Sequence, residues 1–213
     1  MLFRSDYFYP YPVAGQTFDD DAAYAAHGGG FPDRAAWRRD NIDRLVRETA
    51  RRIGRTRPQV RFGISPFGVW RNRATDPEGS DTTAGVQTYD DLHADTRKWV
   101  REGWIDYICP QVYWLAQPLD QQVPANYAVL VPWWADVARG TGVDLYIGEA
   151  LYKVGTQGQP AQWFDPAELS RHLDLCERYR EVRGSMFFSA SEVARDPLGA
   201  VNLLVANHYE QAR

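Results

Sequence analysis

Three segments of this chain repeat one plan: an apolar, strand-like run that stops abruptly in polar and aromatic residues, followed by a loop and a helix-patterned stretch. The first runs Val60-Arg61-Phe62-Gly63-Ile64 into Ser65-Pro66-Phe67-Gly68-Val69-Trp70-Arg71-Asn72. The second is Ile105-Asp106-Tyr107-Ile108-Cys109-Pro110-Gln111-Val112-Tyr113-Trp114, and the third is Val143-Asp144-Leu145-Tyr146-Ile147-Gly148-Glu149-Ala150-Leu151-Tyr152-Lys153. Such alternation predicts β/α units and a parallel sheet. Ligands of such folds bind beyond the carboxyl ends of the strands, and those ends here carry a carboxylate, amides and large aromatic rings. This is the lining expected of a sugar-binding cleft.

Helical periodicity predicts helices over 33–53, 89–102, 125–139, 166–182 and 197–210, in alternation with the strand-like runs. A further short run, Leu2-Phe3-Arg4, precedes a loop rich in aromatics, Gly and Asp, and a fifth strand is expected over 184–189. The expected class is α/β, with residues 1–213 forming one domain of about five β/α units. A (β/α)₈ barrel needs about 250 residues, so five units amount to an incomplete TIM-like barrel whose opening strands are expected to be missing. Open parallel edges invite pairing, and self-association or a complementing N-terminal half is the expected consequence.

The composition removes several function classes. With 44% hydrophobic and 24% charged residues the chain reads as an ordinary globular protein. Its net charge of −4 comes with no basic stripe, which argues against nucleic acid as a partner. No apolar run approaches the length of a membrane span, and the N-terminus shows no secretory leader pattern. Cys109 and Cys176 sit in apolar surroundings and read as small buried hydrophobes. His27, His93, His172 and His208 lack a metal-ligand spacing, so no metal and no cofactor is expected. Gly28-Gly29-Gly30 lacks the preceding strand and following Lys-Ser/Thr of a phosphate loop.

Several blocks occur together in order: Asp6-Tyr7-Phe8-Tyr9-Pro10, Trp37-Arg38-Arg39-Asp40-Asn41, Gly63 through Asn72, and Pro110-Gln111-Val112-Tyr113-Trp114. In these the chain resembles the C-terminal part of the bacterial glycosyl-hydrolase-like family ten. The resemblance implies a TIM-like barrel acting on glycosidic bonds of envelope polysaccharide, in particular peptidoglycan glycan strands stripped of their peptides, and an extracytoplasmic location. Where the family's fourth strand typically ends in two adjacent aspartates, this chain carries Ser5-Asp6. That departure sets a non-catalytic carbohydrate-binding remnant beside the hydrolase reading.

Glycoside hydrolysis uses two carboxyl groups flanking the scissile bond. Asp6, at the end of the first strand-like run, and Glu149, at the end of the Val143 run, are the expected pair. Asp106 and Asp144 open their strands and are expected to serve stability. Tyr7, Tyr9, Trp70, Tyr113, Trp114 and Tyr152 could stack on pyranose C–H faces, while Arg71, Asn72, Gln111 and Lys153 offer donors for hydroxyl and acetamido groups. Trp133 and Trp134 fall mid-helix and are expected to pack.

Overall fold

A computed structural model describes residues 7–210. Four parallel strands form one sheet in the order β1 (Gly63–Ile64), β2 (Tyr107–Ile108), β3 (Asp144–Glu149) and β4 (Val182–Phe187). Consecutive strands are neighbours and each connection crosses over through helix, the arrangement of a βαβ series. The first strand-like run, 2–4, and Asp6 lie outside the described residues. Among the described residues β4 pairs only with β3.

Helix α1 (Asp21–His27) occupies what the sequence suggests is loop, and α2 (Arg34–Thr56) follows with Asp33 accepting from the Ala36 N–H at 2.7 Å as its cap. Helix α2 buries Trp37, Ile42 and Val46, together with Asp43, whose carboxylate takes hydrogen bonds from Lys98 and the Trp99 indole, each at 2.6 Å. Helix α3 (Thr96–Arg101) is shorter than expected because 89–95 is spent on turns: His93 sits at φ +50° and Asp95 caps the helix. Helix α4 (Tyr127–Ala138) is capped by Asn126, and α5 (Glu168–Cys176) buries Leu169, His172, Leu173 and Cys176 on one stripe. Past β4, α6 (Ala190–Arg195) and α7 (Ala200–Leu204) complete the chain, with α7 running into a single π turn over Val205–Tyr209.

The sheet has two unlike faces. Phe62, Ile64, Ile108, Leu145 and Ile147 point toward the helices and form the main core with Ile42, Val46, Trp99, Leu130, Val131 and Trp134. The alternate residues lie on the other face. There the Tyr107 ring meets Tyr146 edge-on at 5.8 Å, a Cβ on Gly63 would stand 2.3 Å from the Tyr107 ring, and one on Gly184 would stand 3.6 Å from Tyr146. Asp106 and Asp144 lie at the amino ends, where Asp106 accepts from the Phe62 N–H and Asp144 pairs with Arg61, both at 2.6 Å. A smaller core of Leu115, Leu151, Val154, Trp163, Leu169 and Leu204 packs beyond the carboxyl end of β3.

The turn before α3 makes a testable contribution to stability. His93 is buried beside Arg38, whose guanidinium lies 3.1 Å from Nε2, and burial followed by the charges of Arg38 and Arg39 pushes the imidazole down to about 4. A base with a depressed folded-state value binds its extra proton only when unfolded, so stability falls as pH drops from about 6.5 toward 4. Equilibrium urea unfolding should show this loss, roughly 1–2 kcal/mol, in the wild type and not in His93→Gln. An identical pH slope in both proteins would assign the effect to other groups.

Candidate active site

The carboxyl ends of β2, β3 and β4 converge on an aromatic rim. Tyr113 meets Tyr152 edge-on at 5.8 Å and Phe188 in a stacked arrangement at 6.4 Å, and Tyr152 meets Phe188 edge-on at 5.9 Å. The turn that carries Tyr152 is pinned to the end of β4 by a hydrogen bond from the Tyr152 N–H to the Phe188 carbonyl at 3.0 Å. Lys153 reaches across and donates to the Tyr113 carbonyl at 2.7 Å. All four side chains are half-buried, and Trp114 extends the rim with its ring edge-on to Phe67 at 5.4 Å. Burial pushes the Tyr152 phenol up and the Lys153 ammonium down.

Beneath the rim the backbones approach closely. Gln111 bridges Phe67 on one side and Gly148 on the other, and its amide donates to the Ser65 carbonyl at 3.0 Å. A Cβ on Gly68 would lie 2.5 Å from the Gln111 carbonyl and 2.9 Å from the Trp114 ring, so only glycine lets this loop meet the end of β2. Gln111 thus holds the mouth of the sheet together.

The structure gives other expected ligand contacts different work. Trp70 is 4% exposed, stacks on Trp133 at 6.0 Å, and donates its indole N–H to Asp95 at 3.0 Å, which leaves its ring no open face for a sugar. Arg71 is saturated by Asp90, through two nitrogens at 2.8 and 2.9 Å, and by Asp76 at 2.7 Å. The Asn72 side chain donates to the Ala84 carbonyl and accepts from Thr82 and the Ala84 N–H, closing the loop that follows β1. These three positions build the loop and make their bonds within it. Tyr7 and Tyr9 sit apart from the rim: Tyr7 is exposed against Tyr11, and Tyr9 lines a separate groove of about 720 Å³ with Phe18, Arg34, Arg38 and His93. Asp6, the other expected carboxylate, lies outside the described residues.

Glu149 departs furthest from expectation. It shares its face with Leu145 and Ile147, so its side chain enters the layer between sheet and helices and is 0% exposed. There Oε1 accepts from the Tyr127 hydroxyl of α4 at 2.5 Å and, at a long 3.5 Å, from Ser185 of β4. Oε2 lies 2.9 Å from Nδ1 of His172 on α5, whose Nε2 faces Glu168 at 3.3 Å. That second contact is too bent for a hydrogen bond and acts as an ion pair. Burial alone would lower the His172 value, but the hydrogen bond to Glu149 and the charges of Glu149 and Glu168 outweigh it and raise it above the ordinary histidine value. Tyr127 stacks on the same imidazole with centroids 3.7 Å apart, and burial followed by the Glu149 charge pushes its phenol well up.

Sequence reasoning passed over His172, Tyr127 and Phe188. Leu169, His172, Leu173 and Cys176 recur at helical spacing, which already marks His172 as a core-facing residue. Asp174, Glu177 and His208 bring ligating atoms within 4.8 Å of one another, but both His208 nitrogens already face partners, Glu177 at 2.9 Å and Ser170 at 2.8 Å.

A parallel sheet whose strand ends carry clustered rings and amides is consistent with part of a TIM-like barrel of the glycosidase class. The chain belongs to the Glycosyl hydrolase-like 10 family, whose model matches residues 3–165. It is 46% identical over 207 residues to glycosyl hydrolase YngK of Bacillus subtilis, covering 97% of this chain and 40% of that protein. It is 43% identical over 187 residues to glycosyl hydrolase DigH of Escherichia coli K12, covering 86% of this chain and 41% of that protein. The chain therefore spans about two-fifths of the length of these relatives.

Proposed function

We propose that this chain supplies the glycan-binding strand ends of a glycoside hydrolase acting on bacterial envelope polysaccharide, with peptide-free peptidoglycan strands as the substrate class and an extracytoplasmic site of action. The observation that carries this reading is the rim of Tyr113, Trp114, Tyr152, Lys153 and Phe188 at the carboxyl ends of the parallel strands. Flat rings fit the C–H faces of pyranoses, and the neighbouring amide and ammonium suit hydroxyl and acetamido oxygens. Among the described residues no helix is long and apolar enough to cross a membrane.

Cleavage requires two carboxyl groups beside the bond. Asp6 is the proposed reacting carboxylate of this chain, and Glu149, turned into the helix layer, supports the strand end beneath the rim. The orientation of Glu149 also favours a second reading, in which the chain binds glycan without cutting it. Long incubation with peptide-free glycan strands, followed by product analysis and a pull-down on the same polymer, separates the two. Cleavage that Asp6→Asn abolishes supports the hydrolase, and retention without products supports the binding module. Absence of both sinks the carbohydrate reading.

A further inference from the structure

Lys153 presents a charge that the described residues around it leave uncompensated. Lys98, the chain's other lysine, is paired with Asp43 at 2.6 Å, and Arg38, Arg71 and Arg171 are each locked to carboxylates at 2.5–2.8 Å. Lys153, half-buried four residues beyond the end of β3, has instead the Tyr113 carbonyl at 2.7 Å and the ring faces of Tyr152 and Trp163 at 5.9 and 5.6 Å. Among the described residues no carboxylate is its partner. Burying part of an ammonium without a counter-ion is unfavourable, and its lowered proton affinity reports that cost. One donor position is spent on the carbonyl, and a rotating ammonium carries three.

We propose that Lys153 is a specificity-determining residue of the rim that pairs with a carboxylate carried by the glycan, so that the site selects acidic sugars over neutral ones. The aromatic rings of Tyr113 and Tyr152 would hold the pyranose, and the ammonium at their edge would take the acidic substituent, supplying a counter-ion that the described residues do not provide. This inference rests on the carbohydrate reading above, and it adds the chemical feature that the site distinguishes.

The test measures affinity of the whole chain for three polymers. They are peptide-free peptidoglycan strands, whose muramic residues bear a carboxylate, the same strands after carboxyl reduction, and neutral chito-oligosaccharides. A charge-assisted contact predicts that the wild type binds the native strands roughly 10- to 100-fold more tightly than the reduced ones. That preference should shrink as salt rises from about 0.05 to about 0.5 M. Lys153→Met should erase the preference, so that native and reduced strands bind that variant equally well, and Lys153→Arg should keep part of it. Equal wild-type affinity for native and reduced strands overturns the inference even if Lys153→Met fails to fold, and so does a preference that survives that substitution. Binding of all three polymers without preference leaves the carbohydrate reading standing and ends this one, whereas binding of none ends both.

Discussion

Replacing Glu149 with Leu should lower the unfolding free energy by about 3–5 kcal/mol, the usual cost of removing one partner from a buried ion pair. The substitution leaves the Tyr127 hydroxyl without its acceptor and His172 with Glu168 alone. Glu149→Gln, which can still accept from Tyr127, should fall between the two. The effect also has a signature in pH. Because the folded-state value of His172 is raised, its stabilisation is complete below the ordinary histidine value of about 6.5 and is lost as pH rises through the folded value. Wild-type stability should therefore decline on that alkaline side, and Glu149→Leu should flatten the decline. Urea unfolding across pH reads both quantities. A Glu149→Leu protein as stable as the wild type would refute the bracing role and return Glu149 to the reacting carboxylates, since removing a purely catalytic group leaves stability unchanged or improved.

Trp134→Ala should cost a further large amount, about 3–5 kcal/mol for an emptied aromatic site in a closed core. The ring is 0% exposed in the main core, and its indole N–H donates to the Gly68 carbonyl at 2.8 Å. Gly68 is the residue whose missing side chain lets the loop after β1 approach Gln111 and Trp114. The loss should accordingly reach the rim, and near-UV circular dichroism should report altered packing of the aromatic residues there as well as the lower denaturant midpoint. Trp133→Ala makes the contrast. That ring is half-buried, stacks on Trp70 and donates to the Glu78 carbonyl, so its removal should cost clearly less. Equal costs for the two tryptophans would contradict the assignment of Trp134 to the core.

Local pattern was enough for the order of the sheet strands and most helices, but not for α1. The apolar stripes of α2, α4 and α5, the strand-like runs at Gly63, Tyr107 and Asp144, and the amino-end positions of Asp106 and Asp144 are readable as short-range periodicity, whereas the helix expected over 166–182 ends at Cys176 and β4 begins at Val182, two residues ahead of the expected 184. Helix α3 was overestimated because its first turn competes with loop hydrogen bonds, among them Asp91 accepting from the Gln87 N–H at 2.7 Å. For the site, the clustering of aromatics at strand ends was legible, but the destinations of particular side chains were not. Trp70, Arg71 and Asn72 look like ligand-binding chemistry in sequence, and their partners Asp95, Asp90 and Ala84 lie 25, 19 and 12 residues away.

Glu149 shows where the boundary falls. Its period-two kinship with Leu145 and Ile147 was present in the sequence and places it on the core face. What it meets there was not: Tyr127 and His172 come from two different helices, 22 and 23 residues away. The sequence by itself determined the alternation of the sheet strands with helices, the family, and that aromatic rings cluster at the strand ends; it did not determine which rings, since Trp70, Tyr7 and Tyr9 stay out of the rim and Phe188 joins it. Tertiary structure decided which polar groups face ligand and which face one another, because a buried charge takes whatever partner the packed helices bring within hydrogen-bonding distance, and no local pattern encodes that meeting.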